Sequence, residues 1–279
     1  MNRPTDHDRR AHVDLGPVDC LDRSRLARFC GDTRPAAQAG NAVTTAGVAV
    51  IPVTGVMTLH GIEIFGRTIG GTTARTRERI ARALGDESVS QIVLNIDSPG
   101  GAVDGIPELA AFIREANEQK PVTAVANTLA ASAAYWIATA AGELVVTPSG
   151  EVGSIGVYIH HENWAAFEEG LGVEHTFVHA GRNKTEANMF EPLSEEARAH
   201  LQARVDDVYA MFIADVMRGR GVTRSVASGE QFGEGRTYGA REAVRRGMAD
   251  RVATLEETVA RLTRPSGRPR RRASKFAFI

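Results

Sequence analysis

PVTAVANTLAASAAYWIATAAG, residues 121–142, runs without one charged side chain. Its first seven residues are β-rich and opened by a proline, which predicts a strand over 121–127. The rest is small, apolar and rich in alanine, which predicts a buried helix. Asn127, Thr128 and Ser132 interrupt the run, so it reads as a core segment rather than a membrane span. A lone hydroxyl, Ser132, therefore stands at the start of a helix that directly follows a strand.

The same alternation extends on both sides. VAVIPVTG, from Val48, is a strand closed by Gly55, and TTARTRERIARAL (72–84) has helical spacing. QIVLNID (91–97) reads as a strand and VDGIPELAAFIREANEQ (103–119) as an amphipathic helix. Beyond Ser132 come ELVVTP and SIGVYIH as strands, a short helix near ENWAAFEEG, and VEHTFVHA as a further strand. A long helix follows over roughly 194–218, and GAREAVRRGMADRV reads as helix, glycine stop and short strand. Strands alternating with helices predict an α/β fold with parallel pairing through right-handed crossovers.

At 279 residues, 43% hydrophobic and 24% charged, the chain has ordinary globular composition. A formal net charge of −1 gives no global field that favours nucleic acid or membrane surfaces. Residues 1–45 form a polar extension with one short helix expected around DCLDRSRLARF. The main domain is expected over 46–262, followed by a basic tail, 263–279, able to touch an acidic partner or nucleic acid. Cys20 and Cys30 fit neither a zinc knuckle nor a disulfide scaffold and read as reduced thiols of a cytoplasmic protein. MNRPTDHDRRAHVDLG lacks the apolar stretch of a secretion signal, and no membrane anchor is expected.

Three pieces carry chemistry. NIDSPGGAV (95–103) lies between a strand and a helix, and Gly100–Gly101 let backbone amides approach a ligand and hold developing negative charge. An ordinary Ser-Pro-Gly-Gly turn explains the same residues. Ser132 stands where a strand-to-helix turn exposes a nucleophilic hydroxyl beside free helix amides, among them that of Ala133. A helix cap explains it equally, and the flanking Ala131 and Ala133 depart from G-x-S-x-G. Lys184, in HAGRNKTEANMFEPLSEE (179–196), becomes a general base only where burial lowers its pKa from about 10.4. Taken alone it reads as a solvated loop charge.

Taken together, DSPGG, AASAAYW, EVGSIGVY, GRNK and EPLSEE, in that order, resemble the signal peptide peptidase A and phage protease C family of serine peptidases. The separation of Ser132 and Lys184, 184 − 132 = 52 positions, is similar to that of its short members. The resemblance runs from about Val48 to about Leu262. It implies a ClpP/crotonase-like spiral of β-β-α units, a single catalytic domain and no cofactor. It implies Ser132 as nucleophile, Lys184 as general base, and Ser154 as the hydroxyl that orients the lysine. Gly101 and the Ala133 amide are the implied oxyanion hole, with Gly100 the other glycine candidate. Where the family often reads Ser-Gly-Gly-Tyr, this chain has Ser132-Ala133-Ala134-Tyr135. Glu186 must point away from Lys184 for the base to work.

The alternatives are a Ser-His-Asp triad using His160 or His161, a crotonase-type acyl-CoA enzyme with a carboxylate base, and a non-catalytic capsid-associated shell protein. The histidines show no HExxH spacing, and no metal site is expected. The lack of an anchor and the stretches SAAYWIATAA, NMFEPLSEEARAHLQ and DVYAMFIADVMRGRG favour the phage head-maturation branch. That branch implies scaffold or capsid protein as substrate, self-association into a homo-oligomer, and location in the host cytoplasm or a prohead. Peptide degradation in the cytosol is the other peptidase role.

Overall fold

The computed structural model describes residues 19–21, 43–64 and 67–264. Its core is assembled from a unit used twice. In the first, β3 (Val48–Thr54) belongs to a large sheet, β4 (Met57–Thr58) and β7 (Gly71–Thr72) to a small one, and α1 (Thr73–Gly85) returns the chain. In the second, β8 (Gln91–Ser98) lies in the large sheet, β9 (Gly100–Ala102) in the small one, and α2 (Ile106–Gln119) returns the chain. β10 (Val122–Ala131) then enters the large sheet and passes straight into α3 (Ala133–Thr139). This is the expected β-β-α spiral.

The remaining strands are short. β1 (Asp19–Leu21) joins the small sheet, β2 (Val43–Thr45) pairs with β3, and β5 (Ile62–Ile64) with β6 (Arg67–Ile69) forms a ribbon. β11 (Glu143–Val146), β12 (Glu151–Gly153), β13 (Thr237–Gly239) and β14 (Arg251–Val252) complete the large sheet. α4 (Ala165–Gly170), α5 (Glu195–Arg220), α6 (Arg224–Ala227), α7 (Ala240–Arg246) and α8 (Leu255–Leu262) complete the helices.

β3, β8, β10, β11, β12 and β14 pair in parallel, whereas β2 and β13 are antiparallel edges. Parallel strands are covered on both faces, so their sequences are nearly continuous in apolar residues. The alternation sorts the faces. Ala49, Ile51 and Val53 of β3, with Ile92, Leu94 and Ile96 of β8, join the main core beside α1, α2 and α3. Val48, Val93, Val125 and Val145 face the other way, under Leu255 and Leu262 of α8. The α8 turn is locked by a capping box, with Thr254 and Glu257 bonding each other's backbone.

α5 begins on the Ser194 side chain, which accepts from the Ala197 amide, and ends at Gly221 in the left-handed region. Apart from Ala197 in its first turn, only its last third is buried, through Phe212, Ile213, Asp215 and Val216. Phe212 stacks on Trp136 of α3 with ring centroids 4.6 Å apart. The Trp136 indole N–H donates to Asp215 at 2.7 Å, and Arg114 and Arg218 flank the same carboxylate.

Two sequence expectations give way. SIGVYIH (154–160) forms no strand beyond a single bridge at Tyr158, because β12 ends at Gly153 and Ser154 turns left-handed with φ 56°. The VEHTFVHA stretch is irregular and exposed over 173–179, with no strand to pair against. In DCLDRSRLARF, Asp19–Leu21 is a strand and the rest lies outside the described residues, as do Cys30 and the basic tail beyond 264. No helix among the described residues is long and apolar enough to cross a membrane.

Candidate active site

β10 is longer than its sequence suggests, because its partners change along its length. Thr123–Ala126 pairs with β11, and Leu129–Ala131 pairs with β12. On its other edge the register with β8 shifts between Ala126 and Ala130. The strand therefore stays hydrogen-bonded up to Ala131, and the chain must turn into α3 within one residue. That residue is Ser132, with φ 54° and ψ −121°. A non-glycine residue at positive φ is costly and persists only where its surroundings impose it. Here the Ser132 amide donates to Gly153 O at 2.8 Å and the Ser132 carbonyl accepts from the Trp136 amide at 2.9 Å. The elbow is held at both ends.

Ser132 is 1% exposed, and every residue from Ala131 to Ala140 is buried. Its hydroxyl makes no hydrogen bond with any described residue. The first amides of α3, those of Ala133 and Ala134, have no partner within the helix, as helix geometry requires. Ser154 is close by for a topological reason: Ala131 lies opposite Gly153, so the two serines follow from neighbouring strands at the same level. The Ser154 amide donates to Arg236 O at 2.8 Å.

The glycines approach from the other side. Ser98 lies opposite Ala130, and α3 packs on β9. The Ser98 hydroxyl donates to Gly55 O at 2.7 Å and accepts from the Gly100 amide at 3.2 Å. The Gly100 amide is thus occupied. Gly101 cannot be any other residue: a Cβ there would lie 1.9 Å from Met57 O. Ser98, which sequence reasoning passed over although it stands inside the DSPGG motif, ties this turn to Gly55 and to Gly100.

Lys184 is bonded to none of them. It is exposed in the irregular stretch 171–194, and no hydrogen bond or ion pair joins it to Ser132, Ser154 or Glu186. Glu186 is half-buried rather than solvent-directed, with Oε1 buried and unpartnered. The root of this arm is fastened to the preceding segment: His161 Nε2 meets Asn188 O at 2.9 Å, and the Trp164 amide donates to Met189 O at 2.8 Å. His160 is exposed beside Glu162 at 3.4 Å. Neither histidine bonds to Ser132. Among the described residues no group of three or more His, Cys, Asp or Glu can hold a metal ion.

Against known proteins, the model of Peptidase family S49 matches residues 114–267, more than half of the chain. The chain belongs to that family. The match takes in the serine elbow, Ser154 and the lysine arm together.

The chain is 32% identical over 217 residues to head-tail preconnector protein GP5 of Enterobacteria phage P21, covering 76% of this chain and 42% of that protein. It is 32% identical over 231 residues to capsid assembly protease C of Escherichia phage lambda, covering 82% of this chain and 52% of that protein. It thus spans about half the length of these two relatives. A solved mutant form of the 1510-N membrane-bound stomatin-specific protease aligns with a TM-score of 0.47 at 15% identity, covering 76% of this chain and 83% of that one.

Proposed function

We propose that this chain is a serine endopeptidase that uses Ser132 as nucleophile and Lys184 as general base. The observation that carries the reading is the backbone of Ser132. A serine forced to φ 54° between a parallel strand and a helix, with its hydroxyl bonded to no described residue, is the geometry of a nucleophile presented at a strand-to-helix turn. A serine that merely capped the helix would bond an amide of its first turn, and this one makes no cap bond.

In this reading the neutral Lys184 amine takes the hydroxyl proton as Ser132 Oγ bonds to the scissile carbonyl carbon. The oxyanion that forms is held by the amides of Gly101 and Ala133. The C–N bond then breaks, Lys184 returns the proton to the leaving amine, and water releases the acyl group by the same relay. Ser154, level with Ser132, is the hydroxyl that orients the amine.

A lysine works as a base only when it can shed its proton, which requires burial. Lys184 is exposed in the single chain, on an arm that is unusually apolar for a surface. Trp164, Phe167, Leu171, Val173, Phe177, Val178 and Met189 are all exposed between 164 and 189. Contiguous apolar exposure marks an interaction site. Self-association that seats this arm over a neighbouring serine elbow would desolvate the lysine and complete the dyad in one step.

The relatives named for capsid assembly and for the head–tail preconnector support a scaffold or capsid protein as substrate, cut during prohead maturation. The test is cleavage of casein and of scaffold-derived peptides by the wild-type chain beside three variants. Ser132→Ala and Lys184→Ala each lose roughly 10³-fold or more, whereas His160→Ala retains full activity. Normal cleavage by Lys184→Ala with a dead His160→Ala would put a histidine base in its place. Inertness of the wild-type chain on every peptide, with no labelling of Ser132 by a fluorophosphonate, would favour the shell-protein role.

A further inference from the structure

β1 is the one described piece of the N-terminal segment before residue 43, and it lies at a telling address. It runs antiparallel along β9, with Asp19 opposite Ala102, Cys20 opposite Gly101 and Leu21 opposite Gly100. The other edge of β9 is already filled by β4, where Met57 pairs with Gly101. The β1 side is therefore the only edge of β9 on which an extended peptide can add. Adding a strand to a free edge is the standard way to hold a peptide by its main chain.

Direction matters as much as position. Ala130 lies opposite Ser98; two residues further along each strand lie Ser132 and Gly100. The Gly100 end of β9 is thus the end nearest the nucleophile, and β1 runs toward it with Leu21 leading. The residue facing Gly101, assigned above to the oxyanion hole, is Cys20.

Resting on the peptidase reading, we propose that Asp19–Leu21 is a pseudosubstrate strand that occupies the peptide-binding edge of β9 in cis. Substrate and this segment need the same ladder, so catalysis requires the segment to leave. Competition within one chain raises apparent KM in proportion to the time the edge is covered and leaves kcat untouched. Protection of a bare sheet edge is the rival role, and it predicts no effect on KM.

The test uses the full-length chain. Either Cys20, or Asp19 with Leu21, donates to the ladder, so Cys20→Pro/Leu21→Pro removes an amide donor in both cases. Cys20→Ala/Leu21→Ala keeps the amides. The proline pair is expected to lower KM for a scaffold-derived peptide roughly five- to tenfold at unchanged kcat, with the alanine pair near wild type. Independently, the peptide GPVDCLDRS, a copy of residues 16–24, inhibits the wild-type chain competitively, and its double-proline counterpart does not. Unchanged KM in the proline pair, or equal or absent inhibition by the two peptides, overturns the proposal while cleavage and fluorophosphonate labelling of Ser132 leave the peptidase reading standing. Absence of both cleavage and labelling in every form removes the peptidase reading, and this proposal with it.

Discussion

The serine elbow and the lysine arm carry the two halves of one proposed reaction, yet they are held by opposite means. Around Ser132 the chain is wholly buried from Ala131 to Ala140, stacked through Trp136 on Phe212 and bonded on both sides of the turn. Around Lys184 the chain is exposed from Gly170 to Lys184 and has no regular structure after α4. The core of the single chain fixes the first. The second is held only at the surface, by its root at Asn188 and Met189, by Arg182 pairing with Glu196 at 2.8 Å and by His175 stacking on Phe190. The difference teaches that the proposed nucleophile is prebuilt by folding, whereas the proposed base must be delivered.

The largest effect that can break this comparison is complementation. Ser132→Ala and Lys184→Ala chains, each inactive alone, are mixed in equal amounts and allowed to exchange. If each site takes its serine from one chain and its lysine from another, about a quarter of sites regain both, a rise of roughly 10²-fold or more over either variant. Recovery no greater than the sum of the two separate activities would mean that the arm folds back onto its own elbow.

Stability separates the regions next. Gly219 of α5 touches the end of the serine helix so closely that an added Cβ would lie 1.9 Å from Thr139 O. Gly219→Ala is expected to cost about 2–3 kcal/mol, because backbone must move, and to lower Tm by roughly 5–10 °C. Gly170, at the end of α4, has open space around it, and Gly170→Ala is expected to stay within about 0.5 kcal/mol of wild type. Thermal melts of the two variants, run together, check the contrast. Equal losses would place the arm within the cooperative unit.

How much of this was legible follows the same division. The strand-to-helix reading of 121–142 places Ser132 correctly because local sequence decides it: β-rich residues, then alanines, with the register pinned by neighbours on both sides. The glycine stop in GAREAVRRGMADRV is equally local, and Gly247 does cap α7 in the left-handed region. The small sheet was not legible. β4, β7 and β9 are two or three residues long and read as turns, since their pairing depends on a backbone contact between Met57 and Gly101 that composition does not encode. The strand expected over SIGVYIH failed for the converse reason. Its β-branched and aromatic residues suit a strand, but the chain leaves the sheet after Gly153, with Ser154 in the left-handed region. Motif order united Ser132 and Lys184 without regard to distance. Strand register sets Ser98, Ser132 and Ser154 on neighbouring strands, whereas no described bond joins the exposed lysine to them.

A smaller effect sharpens the claim about the arm. Val178 is 96% exposed, so Val178→Asp removes little packing and is expected to change folding stability by less than about 0.5 kcal/mol. The same change places a charge on an apolar docking surface. Self-association, followed by sedimentation velocity across a dilution series, is expected to weaken, and peptidase activity to fall with it. Unaltered sedimentation with normal activity would remove Val178 from the interface.

The smallest effect lies at the base of the elbow and depends on pH. Arg220, at the end of α5, grips Asp250 with contacts of 2.7 and 3.0 Å, and the Leu144 amide donates to the same carboxylate at 2.7 Å. Burial alone would raise the Asp250 pKa, but the hydrogen bonds from Arg220 and Leu144 outweigh it and hold the carboxyl below its usual range. The sign follows from that direction. A carboxyl whose pKa is depressed on folding stabilises the native state fully above its unfolded pKa of about 4, and the contribution is lost as pH falls through the folded value. Asp250→Asn is therefore expected to melt below wild type at pH 7, with the gap narrowing steadily below about pH 4. The arm supplies the control: the gap between wild type and Val178→Ala, which alters no ionisable group, is expected to hold constant over the same range. A gap at Asp250 that stays fixed with pH would mean that packing, rather than the charge on the carboxylate, ties α5 to the strand that follows the serine helix.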